Sequence, residues 1–212
     1  MLYPSVDPET VKRKLRSDYL KTRNDPHTKT MDGFVALLQH FQKPRPVIRD
    51  IVQEAATYIQ KQFRLRWVII GLRGDDGLYR YTVMSGVRDE AWARQKTKTY
   101  ELTDFTQSSA RYNYGEISNN SRVYLEEQNP LYKEDEQTVN RPALLRSTRD
   151  SNETCLEADY IDTLILGNKN ELLGWIDYSG TIAGEFPDST TVKCVEVISY
   201  IIGAAIASEH QR

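Results

Sequence analysis

The carboxy-terminal stretch VEVISYIIGAAIASEHQR, residues 195–212, constrains the fold more than any other part of the chain. Through Ala207 only Glu196, Ser199 and Tyr200 interrupt its apolar character. A helix with one greasy stripe buries one face, whereas one that is greasy nearly all round needs neighbours on two sides. Val192, Val195, Ile198, Ile202 and Ala205 follow one stripe of this helix, and Val197, Ile201, Ala204 and Ser208 follow another. A single sheet covers one of them. The other is expected to meet either the same helix of a second subunit or the chain's own amino-terminal helices, and Gly203, Ala204 and Ala207 are small enough for close approach. They also suit simple packing against a bulky sheet residue.

Lys193 and Glu196 keep this run short of the ~20 apolar residues of a membrane span, and the amino terminus lacks a signal peptide's apolar region. No membrane role and a cytoplasmic location are the expectation. The 212 residues suffice for one core domain with an extension. A net charge of −2 makes nucleic acid an improbable partner, although residues 1–66 carry 13 Lys or Arg against 7 Asp or Glu. The basic run VKRKLR, residues 11–16, is flanked by Glu9 and Asp18 and reads as a solvated helix face. Cys155 and Cys194 are the only cysteines, too few for a disulfide framework or a four-cysteine zinc site.

Along the chain, Asp7 and Pro8 open a first helix with a thin stripe of Val11, Leu15 and Tyr19. Thr30 precedes a second, carrying Met31, Phe34, Val35, Leu38 and Phe41, and QKPRP then breaks the chain. Residues 1–43 therefore read as a helical extension and 44–212 as the domain proper. Ile48, Ile51, Val52, Ala55, Ile59 and Phe63 mark a third helix to about Arg64. RWVIIGLRG and LYRYTVMSG, joined by the turn signal DDG, read as an antiparallel hairpin. Residues 87–157 are irregular, with DEAWARQK a short helix, one strand within EISNNSRVYLEE, and a long polar loop through Arg149. Such stretches are usually functional or mobile. Tyr160–Leu166 and Leu172–Tyr178 are two further strands around GNKNE, and Asp188 or Ser189 caps the last helix. The order implies an α+β fold: a central antiparallel sheet of five or six strands, terminal helices on one face, and the irregular pocket-forming segment on the other.

The hairpin RWVIIGLRGDDGLYRYTVMSG, the segment YGEISNNSRVYLEE and the run LILGNKNELLGWIDYSG followed by FPDSTTVKCVEVISYIIGAAIAS resemble a GAF domain, a sensory fold related to PAS domains. The resemblance covers residues 46–212. It implies a six-stranded antiparallel sheet, a ligand pocket between sheet and middle segment, and dimerisation through terminal helices.

The special chemistries of that family have residue requirements. A bilin needs a placed cysteine with a histidine nearby, but Cys155 has none, since the histidines are His27, His40 and His210. The cysteines of a free methionine sulfoxide reductase and the Asn-Lys-Phe-Asp-Glu signature of cyclic-nucleotide binders are missing, and haem lacks an obvious axial ligand. The cofactor is thus left unknown. The middle segment does offer Trp92, Tyr100, Phe105, Tyr112, Tyr114, Arg122 and Tyr124. These suit either a small-ligand pocket, with arginine favouring an anion, or the cap of a core. Asp177 alternates with Ile176, so it faces the pocket if Ile176 faces the helices; otherwise it caps a strand end in water. The expected function is a small-molecule-sensing regulatory module that acts through its terminal helices on a partner signalling protein, as a homodimer. An interaction module with a vestigial pocket, or a small-molecule enzyme, is the alternative.

Overall fold

Residues 65–72 hold few side chains that tolerate water, and in the computed structural model Val68–Arg73 is an inner strand of the sheet. The structure describes residues 7–22, 25–40, 47–106 and 112–209. Strands β1 (Val68–Arg73), β2 (Tyr79–Ser85), β3 (Gly115–Glu116), β4 (Ser121–Tyr124), β5 (Tyr160–Leu166) and β6 (Leu172–Tyr178) form one sheet in the order β2-β1-β6-β5-β4-β3. Every neighbouring pair is antiparallel. The five strands legible in the sequence are joined by a sixth, β3, which is two residues long and pairs only with β4.

Period two divides the inner strands between two environments. Ile70, Ile161, Ile165, Ile176 and Tyr178 are buried under two helices, α3 (Ile48–Gln62) on β1 and β2 and α6 (Ser189–Glu209) on β5 and β6. Helix α3 packs with Ile51, Val52, Ala55, Ala56 and Ile59, as its 3.6-residue stripe requires. Helix α6 begins where Asp188 accepts the Thr191 N–H at 2.7 Å. It buries Val192, Val195, Ile198, Ile202 and Ala205, the whole of the first stripe, while Val197 remains 44 % exposed on the second. By length and composition alone α6 is apolar enough to cross a membrane, yet its buried stripe is part of the domain core.

Gly203 lies under the sheet-facing stripe, where a Cβ would come within 2.3 Å of the Leu166 carbonyl oxygen. Its smallness therefore serves helix-on-sheet packing. On the same helix Glu196 accepts from Ser121 Oγ at 2.9 Å and is also bonded by Ser118, and Ser121 Oγ lies 2.9 Å from Thr163 Oγ1.

The opposite face of the sheet carries α4 (Asp89–Gln95), α5 (Leu102–Thr106) and two single 3-10 turns, Glu136–Thr138 and Pro142–Leu144. The long polar loop of this segment is tied down by buried carboxylates. Glu157 bonds Arg66 and Arg141, Glu126 accepts the Ala158 N–H at 3.0 Å, and Asp159 accepts the Glu126 N–H at 2.8 Å. Each is a charge-assisted bond, stronger than its neutral counterpart, so an irregular backbone acquires fixed anchor points.

The chain divides into two compact units, Met1–Ala36 and Leu37–Arg212. In the first, α1 (Pro8–Lys21) is capped by Asp7 and buries none of its residues. Its basic run is solvated, with Lys12 paired to Glu9 at 2.7 Å. Helix α2 (Pro26–Gln39), which runs into the second unit, starts five residues before the position its apolar stripe suggests. Asp25 is the capping residue, accepting the Thr28 N–H at 3.0 Å, and Thr30 lies inside the helix bonded to the Pro26 carbonyl. The QKPRP break lies outside the described residues.

Candidate functional site

The face of the sheet turned away from α3 and α6 holds two carboxylates side by side. Asp177 on β6 and Asp162 on β5 are direct cross-strand partners, and both are buried, at 5 % and 4 % exposure. Opposed residues on one face bring their Cβ atoms to within about 4.5–5.5 Å. Like charges so placed repel, and each also loses its hydration.

Their hydrogen bonds are unequal. Asp177 Oδ2 accepts from Tyr81 Oη at 2.7 Å and from Trp175 Nε1 at 2.9 Å. Asp162 Oδ2 accepts only a long bond from Tyr124 Oη, 3.3 Å, and Asp162 Oδ1 is buried without any partner. Burial pushes Asp177 up to about 6 in spite of its two donors. Burial, reinforced by the charge of Asp177, pushes Asp162 up to about 7, while Arg122 acts weakly in the opposite sense. Burial also raises the Tyr81 phenol well above its ordinary value, so it stays protonated and remains a donor.

Above the carboxylates the walls are aromatic. Trp175 is the hub, with ring centroids of Phe105 at 5.0 Å, Tyr81 at 5.1 Å and Tyr100 at 5.5 Å. The indole lies across Gly71, its register partner on β1, where any Cβ would come within 2.2 Å of the ring. That glycine sits at a register shift of β1, and the bare backbone makes room for the indole whose N–H reaches Asp177. Tyr160 and Tyr124, paired across β5 and β4, stack with centroids 4.6 Å apart and planes 6° from parallel. Together these groups bound a cavity of about 180 Å³, closed by Trp67, Ile69, Lys98, Asp104, Thr138 and Asn140 among others.

Of the residues the sequence offered, Tyr100, Phe105, Tyr112, Tyr124 and Asp177 line this cavity. Asp177 faces inward, because period two sets it opposite Ile176, and its burial rules out a water-exposed strand cap. Trp92, Tyr114 and Arg122 do not line the cavity among the described residues. Trp92 packs beside Ile69, Val87 and Ala91. Arg122 lies over the Tyr114 ring at 4.6 Å and donates from Nη1 to the Phe105 carbonyl at 3.0 Å, so its guanidinium is engaged outside the cavity. The expectation of an anionic ligand rested on that arginine, whereas the residues lining the cavity include the carboxylates of Asp162 and Asp177. Lys98, the cation on the cavity wall, is paired with Asp135 at 2.7 Å.

Sequence reasoning misses Asp162, Tyr160, Tyr81 and Trp175. The alternation of YIDTLIL could have placed Tyr160 and Asp162 on one face with Leu164. Cys155 lies apart from this cavity, in a surface depression beside Arg66, and burial pushes its thiol up to about 12. A thiol so held is a poor nucleophile. Among the described residues no group of His, Cys, Asp and Glu is arranged to hold a metal ion.

Solved structures with this arrangement of sheet, helices and pocket face are GAF domains. The GAF domain of an Acinetobacter phosphoenolpyruvate-protein phosphotransferase superposes with a TM-score of 0.52 at 8 % identity, covering 85 % of this chain and 94 % of its own. The GAF domain/HD domain protein of Geobacter sulfurreducens gives 0.53 at 9 % identity, covering 77 % and 94 %. The phycoerythrobilin-bound GAF domain of a cyanobacterial phytochrome gives 0.51 at 10 % identity, covering 88 % and 97 %. No family model matches the sequence, and no curated protein matches it. The chain therefore has the GAF-domain fold, recognised through its three-dimensional arrangement.

Proposed function

We propose that this chain is a small-molecule-sensing regulatory module whose ligand enters the cavity above Asp162 and Asp177. One observation carries the reading: Asp162 lines an aromatic cavity, and its buried Oδ1 has no hydrogen-bond partner among the described residues. Buried carboxylate oxygens are almost always satisfied, and a vacant one in a concave aromatic site is what a ligand's polar group would fill. The GAF fold supports it, since one structural neighbour holds a bilin on the same architecture. In this reading the domain works in the cytoplasm, pairs with a second copy through the exposed stripe of α6, and acts on a signalling partner through its terminal helices. Residues 1–43 are read as a helical extension to the domain proper, residues 44–212.

Native mass spectrometry of the purified full chain tests the pocket. A retained small molecule, released on denaturation, is the expected outcome. Were no mass above that of the bare chain detected, and no compound of a metabolite library to raise the melting temperature, the sensing reading would be overturned in favour of an interaction module with a vestigial pocket.

A further inference from the structure

The charge and shape of the cavity go further than the sensing reading, on which this inference rests, and specify the class of ligand. We propose that the site takes a small organic cation, an amine or amidine carried on a single ring, with its N–H donors on Asp162 and Asp177 and its body among the aromatic side chains.

Three observations lead there. First, among the described residues the two cross-strand carboxylates have no cation bonded to them, and one oxygen of Asp162 is unpartnered although the residue is 4 % exposed. An amidinium, with N–H groups on both sides of a planar fork, satisfies two carboxylate oxygens at once, as the guanidinium of arginine does. Second, the walls are the faces and edges of Tyr81, Tyr100, Phe105, Tyr160 and Trp175. Ring faces attract cations, and more strongly when water is excluded. Third, the two cations nearest the pair among the described residues are otherwise engaged: Lys98 is bonded to Asp135, and Arg122, the cross-strand partner of Asp162 on β4, donates to the Phe105 carbonyl and lies over the Tyr114 ring. The volume, about 180 Å³, is below the ~300–1,000 Å³ of drug-sized sites, which limits the ligand to about one ring and a head group.

Among the described residues the remaining ionisable groups around the pair are the phenols of Tyr81, Tyr100, Tyr112, Tyr124 and Tyr160, the acids Asp104 and Glu157, and Lys98, with Arg122 directly opposite Asp162 on β4. Glu157 is neutralised by Arg66 and Arg141. The local balance is negative. With both carboxyls pushed up by burial, protons compete with the cation, so its affinity falls as pH drops.

Calorimetric titration of the full chain with benzamidine, benzylamine, benzyl alcohol and benzoate, near neutral and at mildly acid pH, tests this. Benzamidine and benzylamine should bind about tenfold or more tightly than benzyl alcohol and benzoate, the discrimination expected of hydrogen bonds to a charged group. Acidification should weaken the two cations and leave benzyl alcohol unchanged. Asp162→Asn should abolish the preference for cations, and far-ultraviolet circular dichroism confirms its fold. Equal or stronger binding of benzyl alcohol or benzoate would overturn the cation class while leaving a ligand-binding pocket in place. Unchanged benzamidine affinity in Asp162→Asn would also overturn it. If none of the four probes bound, the cation class would fall, and the sensing reading would fall with it only if native mass spectrometry also showed no retained molecule.

Discussion

A carboxyl group carried into a sheet face gives up its water, and one long phenol hydrogen bond does not return it. Asp162 is in that position, pushed up to about 7 by burial and then by Asp177. An unfolded aspartate titrates near ~4. Between those values the native state binds a proton that the unfolded state has released, so this contribution to stability is full below about pH 4 and is lost as pH rises through about 7. Asp162→Asn removes the charge and should stabilise the fold at mildly alkaline pH by on the order of a few kcal/mol at ~1.4 kcal/mol per pH unit, seen as a higher melting temperature. Thermal unfolding at two pH values checks this: the advantage of the variant should shrink towards pH 5, and a variant less stable than the native protein at both would show that Asp162 is satisfied as it stands. At this scale Asp177 is legible from period two within its own strand. The face of Asp162 is open to the same period within β5, but its pairing with Asp177 is visible only through register, because no single strand records which residue of another stands opposite it. Arg122 misleads for the same reason, since its partners, Phe105 and Tyr114, come from elsewhere in the chain.

Glycine inside a helix ordinarily costs about 1 kcal/mol relative to alanine. Gly203→Ala therefore carries two opposed effects, a gain in helix propensity and a collision of the new Cβ with the Leu166 carbonyl oxygen at 2.3 Å. Backbone does not yield as a flexible side chain does, and overpacking typically costs 1–3 kcal/mol, so the collision wins. Chemical denaturation should show Gly203→Ala less stable than the native protein by roughly 1–2 kcal/mol. A gain in stability would mean that α6 lies further from the sheet. The major elements are legible where burial imposes a period: β5 and β6 have the boundaries their apolar runs suggest, and α3 follows its stripe. What resists reading is short. β3 has two residues, too few for a period, and α5 has five and buries none of them.

For the molecule as a whole, the open question in the sequence was what covers the second stripe of α6. One stripe is buried by the sheet, while Val197 and Tyr200 remain 44 % and 55 % exposed. The proposed homodimer would bury them. Sedimentation of the full chain should show a dimer that Val197→Asp dissociates, since a carboxylate buried without a partner at an interface is costly. A native protein that sediments as a monomer at all concentrations would overturn the dimer. Composition could not have located the pocket, because a net charge of −2 says nothing of two acids that share one face.

Gly203 also sets what α6 can do mechanically. The helix touches backbone at that residue, and Glu196, seven positions earlier on about the same side, is bonded to Ser118 and Ser121. Sliding by one turn would replace the glycine over the Leu166 carbonyl with Ser199 or Ala207, and either Cβ would strike the same oxygen. Ratcheting is therefore closed to this helix: whatever motion α6 makes must keep Gly203 over the Leu166 carbonyl, so its register on the sheet stays constant.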